Sequence, residues 1–486
     1  DLDADQRRAV TTESRLVAVI AGAGSGKTRV LTRRIAYRAA TDSADLAHTL
    51  VLTFTREAAG ELRRRLLQLG ATGRVTAGTF HSVAHGLLRQ RWADLDRRPK
   101  QLVTDRRRIV GDVMGHEQLD ELVAELDWAT ARLVTPSGYE VAAKRGERRS
   151  NVPPARVADA LARYEQEKRR RGVIDLDDLL ASLIGELERS AEFADATRWR
   201  FRHLLVDEAQ DLNPLQHRLI DLLRAGTDDL FLVGDPAQAI YGFTGSDPGL
   251  LVDVSERFAG VEVVRLPTNH RSTPQVVAAG AHVLDRDGQA SDVVSSRPDG
   301  RAVTIASHAD EHAESAAVAA SIARLDPTLV RASRVAVLAR THAQLTTIGH
   351  ALADAGVPVR RLAARRGTPL AALVEQAYRV KDGQQMRRLA QDQLEIAEES
   401  RDEAAAEVGQ ALLDFLREQP TGDGQALRAW VDRTDPFGHK LPGVELQTFH
   451  AAKGREWHTV HVVGCETSLV PHRSATTNAA RAEEAR

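Results

Sequence analysis

Short apolar runs alternate with amphipathic stretches over the first 85 residues and again between residues 200 and 270. Each run has the length of a buried strand, and the stretches between the runs carry apolar residues at helical spacing. The runs cover residues 16–20, 49–54, 203–206, 230–233 and 261–265, and the clearest helical stretches cover residues 28–40 and 56–69. This alternation predicts βαβ units, and therefore a parallel sheet covered by helices.

Two other regions carry a helical pattern without strands. Residues 86–171 hold 19 lysines and arginines against 14 aspartates and glutamates, and residues 136–154 within them are predicted to be a loop from their Gly, Ser and Pro content. Residues 365–440 are rich in Ala, Glu, Gln and Arg, with a loop at 419–423. Strand-like runs at 335–338 and 459–463 flank this region. The sequence therefore predicts an α/β protein with two parallel-sheet modules, each with a mostly helical insertion.

The overall composition excludes several classes of protein. The 486 residues carry 66 basic and 68 acidic side chains, a net charge of −2. This balance excludes a globally basic nucleic-acid coat protein, so a site for a polyanion must be a local patch. The single cysteine, Cys465, excludes a disulfide framework and a cysteine-cluster zinc site within this chain. Because no long apolar run or secretory leader pattern occurs, a cytoplasmic protein without a membrane partner is expected.

A glycine-rich segment stands between the first predicted strand and the first helical stretch, the context that a phosphate-binding loop requires. After Ala21, the segment consists of Gly22, Ala23, Gly24, Ser25, Gly26, Lys27 and Thr28. Glycines allow a tight turn whose N–H groups point at phosphate oxygens, and the following helix adds its positive N-terminus. Lys27, one of only seven lysines, can reach the β- and γ-phosphates of ATP, and the Thr28 hydroxyl can ligate Mg²⁺.

Polar residues follow two more of the apolar runs. Asp207 and Glu208 come directly after residues 203–206. Beside a phosphate loop, Asp207 is suited to hold Mg²⁺ and Glu208 to polarise a water for attack on the γ-phosphate. Gln238, which follows residues 230–233, can both donate and accept a hydrogen bond, as a γ-phosphate sensor requires. Arg271 in the second module is either one surface arginine among 59 or an arginine finger.

Eight segments, in order along the chain, resemble the motifs of superfamily 1A DNA helicases of the UvrD/PcrA/Rep group. They are LDADQRRAV (2–10), AGAGSGKT (21–28), LTFTREAA (52–59), GTFHS (78–82), DEAQD (207–211), GDPAQAIYGFTG (234–245), NHRST (269–273) and LQTFHAAKGRE (446–456). Alanine in the first position of the phosphate loop is typical of this family. The resemblance covers nearly the whole chain.

This resemblance implies two RecA-like P-loop domains with four subdomains in all. They are 1A (residues 1–85 and 172–268), the helical 1B (86–171), 2A (269–364 and 441–486) and a reduced helical 2B (365–440). The implied activity is that of an ATP-dependent 3′-to-5′ single-stranded DNA translocase and helicase in DNA repair. Its implied partners are single-stranded DNA, junctions of single- and double-stranded DNA and repair proteins, and its implied location is the nucleoid.

The resemblance also implies roles for individual residues. Beside the phosphate loop and Arg271, the residues implied to bind nucleotide are Gln6, Arg29, His270 and Glu456. The residues implied to contact DNA are Thr53, Phe54, His81, Tyr241, Phe243, His450 and Lys453. From the residues alone, alternatives stay open: the aromatic side chains suit either base stacking or a core, and the runs Arg63–Arg65 and Lys168–Arg171 suit either a solvated helix face or a DNA contact.

Several departures from the family pattern affect these expectations. His270 stands where the family commonly has a tyrosine stacking on adenine, and Thr244 where an arginine commonly precedes the glycine. Residues 482–486 resemble only the opening of the sixth motif, so a chain ending there is expected to bind ATP with impaired hydrolysis. The preference for arginine and the short 2B suggest an actinobacterial UvrD paralogue whose full-length form carries an HRDC domain and a cysteine cluster, with zinc only outside this chain. Two alternative functions are the helicase subunit of a recombination helicase–nuclease and a nucleotide-gated DNA-binding scaffold.

Overall fold

A computed structural model describes most of the chain and divides it into two compact units. The described residues are 2–71, 75–103, 106–146, 148, 150–286, 288, 291–360, 369–400, 403–434, 436, 442–467, 469–473, 475 and 477–486. One unit comprises residues 1–304 and 474–486, and the other comprises residues 305–473. The first unit thus includes residues 269–304 and 474–486, which the sequence assigned to the second module. The four-part division with its boundaries stays a prediction.

A six-stranded parallel sheet forms the centre of the first unit. The strands of this unit are β1 (Leu16–Ala21), β2 (Thr49–Thr53), β3 (Thr76–Thr79), β4 (Gln101–Leu102), β5 (Val173–Ile174), β6 (His203–Val206), β7 (Leu230–Gly234), β8 (Glu262–Leu266), β9 (Thr268–Asn269) and β10 (Val294–Ser295). The sheet has the order β3-β2-β6-β7-β1-β8, while β4 pairs with β5 and β9 with β10. The five apolar runs predicted before residue 270 are all strands of this sheet, which confirms the parallel α/β fold.

Helices cover this sheet and form its insertion. They are α1 (Ala4–Thr11), α2 (Lys27–Ala40), α3 (Arg56–Gln68), α4 (Phe80–Asp94), α5 (Arg106–Met114), α6 (Leu119–Ala131), α7 (Tyr139–Arg145), α8 (Pro154–Arg171), α9 (Leu176–Arg189), α10 (Ala191–Arg200), α11 (Pro214–Arg224), α12 (Gly249–Val252), α13 (Val254–Arg257) and α14 (Pro274–Arg286). Among the described helices, none is both long and apolar enough to cross a membrane.

Alternate residues of the central strands enter two separate cores. Ala18 and Leu232 belong to one core, and their neighbours Val19 and Val233 belong to the other. This division follows from the two-residue period of a strand, which points successive side chains to opposite faces of the sheet. Full burial of a valine or leucine side chain in these cores stabilises the fold by roughly 1.5–3 kcal/mol. Because both faces are buried, the strands are continuously apolar rather than alternating.

A buried arginine attaches α1 to α2 beside the phosphate loop. The guanidinium of Arg34 on α2 donates to the carbonyl oxygens of Ala9, Val10, Thr12 and Ser14, at 2.6–3.3 Å. Burial lowers the pKa of Arg34 to about 10. Ala9 and Val10 lie in the last turn of α1, and Thr12 and Ser14 follow the helix. The guanidinium therefore binds carbonyl oxygens that have no partner within the helix.

The helical insertion has its own core and contains one helix that the sequence did not predict. Residues 136–154 were predicted to be a loop, but α7 occupies part of this stretch. Tyr139 and Ala143, four residues apart, lie buried on the same face of α7, and Tyr139 packs edge-on against Trp128. The prediction was wrong because the flanking Gly and Pro residues mask one short amphipathic turn.

Lys168 is also placed differently from a solvated helix face. Its side chain is 3% exposed, and its Nζ donates to Asp175 at 3.0 Å and to Asp178 at 2.7 Å. It also lies 4.7 Å from the ring centroid of Tyr164. The basic run Lys168–Arg171 therefore consists of one buried, ion-paired lysine inside the insertion and three exposed arginines.

The second unit is built on a smaller parallel sheet. Its strands β11 (Val335–Ala339), β12 (Glu445–Thr448) and β13 (Thr459–Val462) have the order β12-β11-β13. Its helices are α15 (Glu311–Ala323), α16 (Pro327–Arg331), α17 (His342–Asp354), α18 (Pro369–Ala377), α19 (Gly383–Ser400), α20 (Glu403–Glu418), α21 (Gly424–Thr434) and α22 (Phe449–Ala452). Helices α18–α21 share a separate core. The predicted helical insertion and its loop at residues 419–423 are therefore confirmed for the described residues.

Candidate nucleotide and nucleic-acid site

The glycine-rich segment forms the turn between β1 and α2. Gly24 and Gly26 have φ angles of 70° and 83°, a left-handed conformation that favours glycine. Gly26 is the N-cap of α2, whose first turn contains no acidic residue. The Oγ of buried Ser25 donates to the carbonyl oxygen of Gly22 at 2.7 Å and holds the turn from inside. The start of α2 is thus arranged as an anion-binding site requires.

Buried carboxylates lie close to Lys27. Its Nζ donates to the carbonyl oxygen of Ala21 at 3.3 Å and lies 3.9 Å from an oxygen of Asp235. Burial, with the neighbouring charge of Glu208, raises the pKa of Asp207 to about 7, while Lys27 acts in the opposite direction. Burial also raises the pKa of Asp235. One lysine does not balance these carboxylates, and such a set of oxygen donors fits a hard divalent cation such as Mg²⁺.

Gln210 connects the ends of two neighbouring strands. Its Nε2 donates to Glu208 at 2.7 Å, and its Oε1 accepts from the N–H of Asp235 at 2.9 Å. Gln210 is fully buried, and a Cβ at Gly234 would lie 2.6 Å from its Oε1. Glu208 has a φ of 52°, an uncommon conformation for a residue other than glycine. Sequence reasoning recognised the segment 207–211 but assigned no role to Gln210.

Gln238 is fixed by the residue that begins its own turn. Asp235 accepts from the N–H of Ala237 at 3.1 Å with one oxygen and from Nε2 of Gln238 at 2.6 Å with the other. Both residues line a cavity of about 530 Å³ beside the phosphate loop, together with Gly22 and apolar residues of α14 such as Val277. The structure thus brings the predicted sensor and the phosphate loop to one cavity.

Asn269 attaches the NHRST segment to the phosphate loop. Its Nδ2 donates to the carbonyl oxygen of Ala23 at 2.8 Å, while its Oδ1 accepts from the N–H groups of Arg271 and Ser272, both at 2.8 Å. Asn269 is 3% exposed. Arg271 is exposed and follows this anchor directly, within the same compact unit as the phosphate loop. The sequence pattern identified Arg271 but not the asparagine that fixes its backbone.

His270 contacts the N-terminal segment that carries Gln6. Its Nε2 lies 2.7 Å from an oxygen of Asp3, and its Nδ1 lies 2.9 Å from the hydroxyl of Ser296. Asp3 also caps α1 by accepting from the N–H of Gln6 at 2.7 Å, and Gln6 donates from Nε2 to the carbonyl oxygen of Ser25 at 2.8 Å. The four predicted nucleotide-side positions 6, 25, 26 and 270 are therefore neighbours, and Asp3, which sequence reasoning missed, connects them.

Arg29 and Thr28 occupy the first turn of α2. Arg29 is exposed and lines a second cavity, of about 620 Å³, with Arg7, Arg33 and Arg65 among its other residues. Thr28 is partly exposed, two residues after the N-cap. Its place in the turn agrees with the metal-ligating role expected of a phosphate-loop threonine.

One loop carries two of the predicted DNA contacts, including Phe243, the most exposed of them. Phe243 is 51% exposed, and its ring centroid lies 6.2 Å from that of the half-buried Tyr241. Arg148 of the helical insertion donates to the carbonyl oxygen of Phe243 at 3.1 Å, and it lies 5.0 Å from the ring centroid of Trp128. The loop therefore holds two neighbouring aromatic rings with its backbone fixed from the insertion.

The other predicted DNA contacts of the first unit are less exposed. Thr53 is 1% exposed and donates from its hydroxyl to the carbonyl oxygen of Thr55 at 3.0 Å. Phe54 is partly buried and packs edge-on against Phe80, with 6.2 Å between ring centroids. His81 lies 3.9 Å from Asp177, which is beyond hydrogen-bond distance.

The remaining predicted residues belong to the second unit. His450 lies in α22, directly after β12, and its helix is capped by the hydroxyl of Thr448, which accepts from the N–H of Ala451 at 3.4 Å. Lys453 follows as the C-cap of α22, and the exposed Glu456 lies three residues further on. These three residues therefore cluster at the carboxyl end of one parallel strand, where polar sites of such sheets occur.

A glycine loop between β1 and α2, with carboxylates after β6 and β7 on the same sheet, defines a P-loop nucleotide-hydrolysing protein. The chain belongs to the UvrD/REP helicase family. Residues 2–259 match the UvrD/REP helicase N-terminal domain, and residues 264–366 match the UvrD-like helicase C-terminal domain. The chain is therefore an ATP-dependent DNA helicase with an α/β fold.

Curated relatives carry corresponding names. "ATP-dependent DNA helicase UvrD2" of Mycobacterium tuberculosis is 33% identical over 97% of this chain and 73% of its own length. "ATP-dependent DNA helicase PcrA" of Staphylococcus epidermidis is 28% identical over 74% of this chain and 50% of its own. "ATP-dependent DNA helicase srs2" of Schizosaccharomyces pombe is 28% identical over 74% and 44%. The resemblance to this family is thus confirmed, while an HRDC domain with a cysteine cluster stays a prediction.

Proposed function

We propose that this helicase moves 3′ to 5′ along single-stranded DNA, unwinds junctions of single- and double-stranded DNA, and acts in DNA repair together with repair proteins. The observation that supports the catalytic part of this proposal most strongly is the set of polar contacts at and beside the phosphate loop. Gln6, Lys27 and Asn269 contact the loop itself, and Gln210 and Gln238 contact Asp235 beside it. A scaffold without catalysis would not require a glutamate aligned by a buried glutamine beside this loop.

Glu208 is proposed as the base that orients and deprotonates the attacking water. Its hydrogen bond from Gln210 fixes one carboxylate oxygen, which leaves the other oxygen for a water. Thr28 and Asp207 would hold Mg²⁺, whose positive charge would offset the buried carboxylates and the phosphates. Lys27 would bind the β- and γ-phosphates from the other side.

Gln238 and Arg271 are proposed to contact the γ-phosphate. Gln238 lines the cavity beside the phosphate loop, and its hydrogen bond to Asp235 would exchange for one to the phosphate. Arg271 would stabilise the charge of the transferred phosphoryl group, with its backbone held by Asn269. His270, Gln6 and the exposed Arg29 would surround the base. Glu456 is proposed to bind nucleotide from its place in the family motif alone.

The DNA strand is proposed to pass over Tyr241 and Phe243, whose rings would stack bases. Stacking on aromatic rings stabilises binding by about 1–3 kcal/mol per base and does not depend on sequence. Phe54 would extend the same track, and His81 would contact phosphates. For the second unit, His450 and Lys453 are proposed, from the family motif alone, to bind DNA phosphates. A sequence-independent track of this kind is what a translocase needs, because it must bind every nucleotide that it passes.

The experiment that tests the catalytic assignment compares Glu208→Gln with the exposed control Glu256→Gln. Binding of a fluorescent ATP analogue should stay within about threefold of wild type in both variants, because neither change alters the phosphate loop. DNA-stimulated ATP hydrolysis should fall by about a hundredfold or more only in Glu208→Gln, since general-base catalysis supplies a factor of about 10²–10⁴. Normal turnover in Glu208→Gln would refute the assignment.

A second experiment tests the direction of movement. Duplexes with a single-stranded 3′ tail and with a 5′ tail of equal length are mixed with the protein and ATP, and strand separation is followed by fluorescence. Faster unwinding of the 3′-tailed duplex is expected. Equal unwinding, or a preference for the 5′ tail, would contradict the proposed polarity while leaving the catalytic assignment intact.

A further inference from the structure

The last described helix, α23 (Asn478–Ala485), packs on the loop that carries the two aromatic rings. Glu483 Oε1 of this helix accepts from the N–H of Gly242 at 2.8 Å. One helical turn along, Arg486 donates from Nη1 to the carbonyl oxygen of Ala239 at 3.2 Å. The contacts lie on either side of Tyr241, and both involve main-chain groups. Segments 239–243 and 478–486 belong to the same compact unit.

The contact requires that residue 242 have no side chain. A Cβ built on Gly242 would lie 2.6 Å from Oε2 of Glu483, which is closer than two such atoms can approach. The φ angle of Gly242 is not in the positive range, so the backbone itself does not require glycine there. The absence of a side chain therefore serves the approach of the carboxylate and not the conformation of the turn.

The carboxylate is partly buried at this position. Burial raises the pKa of Glu483, while the N–H groups of Gly242 and Phe243 and the nearby Arg486 act in the opposite direction. A buried carboxylate is costly unless it accepts hydrogen bonds, and the two amides of the loop provide them. On the other flank of the loop, Arg148 donates to the carbonyl oxygen of Phe243. The main chain of Phe243 is thus held from two sides, by Glu483 of α23 and by Arg148 of the helical insertion.

We infer that Glu483 is a positioning residue for the DNA-stacking loop: by accepting from the main chain of Gly242, it fixes the loop in the conformation that presents Tyr241 and Phe243 to single-stranded DNA. Arg486 holds the start of the same segment, directly after the proposed phosphate sensor Gln238. The segment from Ala239 to Gly242 is therefore attached at both ends to α23 and its C-cap residue Arg486. This inference rests on the proposed function of the two rings in DNA binding.

Hydrogen exchange tests the contact without DNA or nucleotide. In Glu483→Ala, the amide of Gly242 should exchange about tenfold faster than in wild type, because a hydrogen bond to a charged group is lost. Glu483→Gln keeps a carbonyl oxygen in the same place and should restore most of the protection. The exposed control Glu256→Gln should leave the exchange of residues 239–243 unchanged. Equal protection in wild type and Glu483→Ala would overturn the inference.

Affinity for a fluorescently labelled oligothymidylate tests the consequence for DNA. Glu483→Ala should weaken binding about fivefold, as expected when part of the stacking energy of the two rings is lost, and Glu483→Gln should be close to wild type. Gly242→Ala should reproduce the loss, since its methyl group displaces the carboxylate. The double variant should then bind no more weakly than either single variant.

The outcomes separate this inference from the proposed function. If the losses of Gly242→Ala and Glu483→Ala multiply in the double variant, the two residues act independently and the inference is wrong. If wild-type protein does not bind the oligonucleotide at all, the proposed DNA-binding function fails, while hydrogen exchange still decides whether Glu483 fixes the loop. Thermal denaturation of each variant establishes that the comparison is made between folded proteins.

Discussion

Replacing Asn269 should both destabilise the first unit and impair ATP hydrolysis. Its side chain makes three hydrogen bonds of 2.8 Å and is 3% exposed. At about 1 kcal/mol for each bond, Asn269→Ala should lower the free energy of unfolding by about 3 kcal/mol. Since the N–H of Arg271 loses its acceptor, this proposed γ-phosphate contact should lose its position, and a displacement of about 1 Å costs about a hundredfold in rate.

The matched variant Asn269→Asp isolates the contact with the phosphate loop. Its carboxylate can still accept from the N–H groups of Arg271 and Ser272, but its second oxygen would face the carbonyl oxygen of Ala23. In Asn269→Asp, the free energy of unfolding measured by chemical denaturation and the affinity for a fluorescent ATP analogue should therefore both fall, although two of the three bonds persist. Comparisons of this kind have an error of about 0.5 kcal/mol. The reasoning is refuted if both variants unfold within that margin of wild type and hydrolyse ATP at the wild-type rate.

Two further predictions concern stability in acid and DNA binding. His217 is buried, neither ring nitrogen finds a hydrogen-bond partner among the described residues, and burial, with the charge of Arg257, lowers its pKa to about 3. Because the pKa is lower in the folded than in the unfolded protein, this contribution to stability is complete above about pH 6.5 and is lost below it, by about 2.7 kcal/mol at pH 4.5. In urea titrations at about pH 4.5 and above about pH 6.5, His217→Leu should reduce the difference in unfolding free energy by this amount. An unchanged difference would contradict the prediction. Phe243→Ala should weaken binding of single-stranded DNA by about 1–3 kcal/mol in an anisotropy assay, more than Phe54→Ala does, because Phe243 is the more exposed ring; the reverse order would contradict the proposed track.

The sequence predicts those parts of this protein whose cause is local. Strands β1, β2, β6, β7 and β8 are apolar enough to stand out, and the phosphate loop is identified by glycines between a strand and a helix. Strand β3, with the sequence TAGT, does not stand out, because its place in the sheet comes from pairing with β2. The short helix α7 is hidden by the Gly and Pro residues that flank it.

The residues that complete the site could not be found in this way, because their partners are distant in sequence. Asn269 and Ala23 are 246 residues apart, and Gly242 and Glu483 are 241 apart. Ala23, Gly242 and Asn269 lie inside segments that resemble family motifs, but no local pattern shows which distant residue each one contacts. The same holds for Gln210: it lies inside a recognised motif, and only the fold reveals that it connects Glu208 with Asp235.

The order of strands in the large sheet also determines when the nucleotide site can form during synthesis. Strand β1, which leads into the phosphate loop, pairs only with β7 and β8, and its Leu16 and Val17 are aligned with Leu230 and Glu262. A ribosome adds about 5–20 residues per second, so the nascent β1 must wait roughly 10–50 s for its neighbours. The helical insertion, with a core of its own, can fold during this delay. The newly made chain therefore exposes an apolar strand for that interval, and a chaperone that binds such segments would find it there.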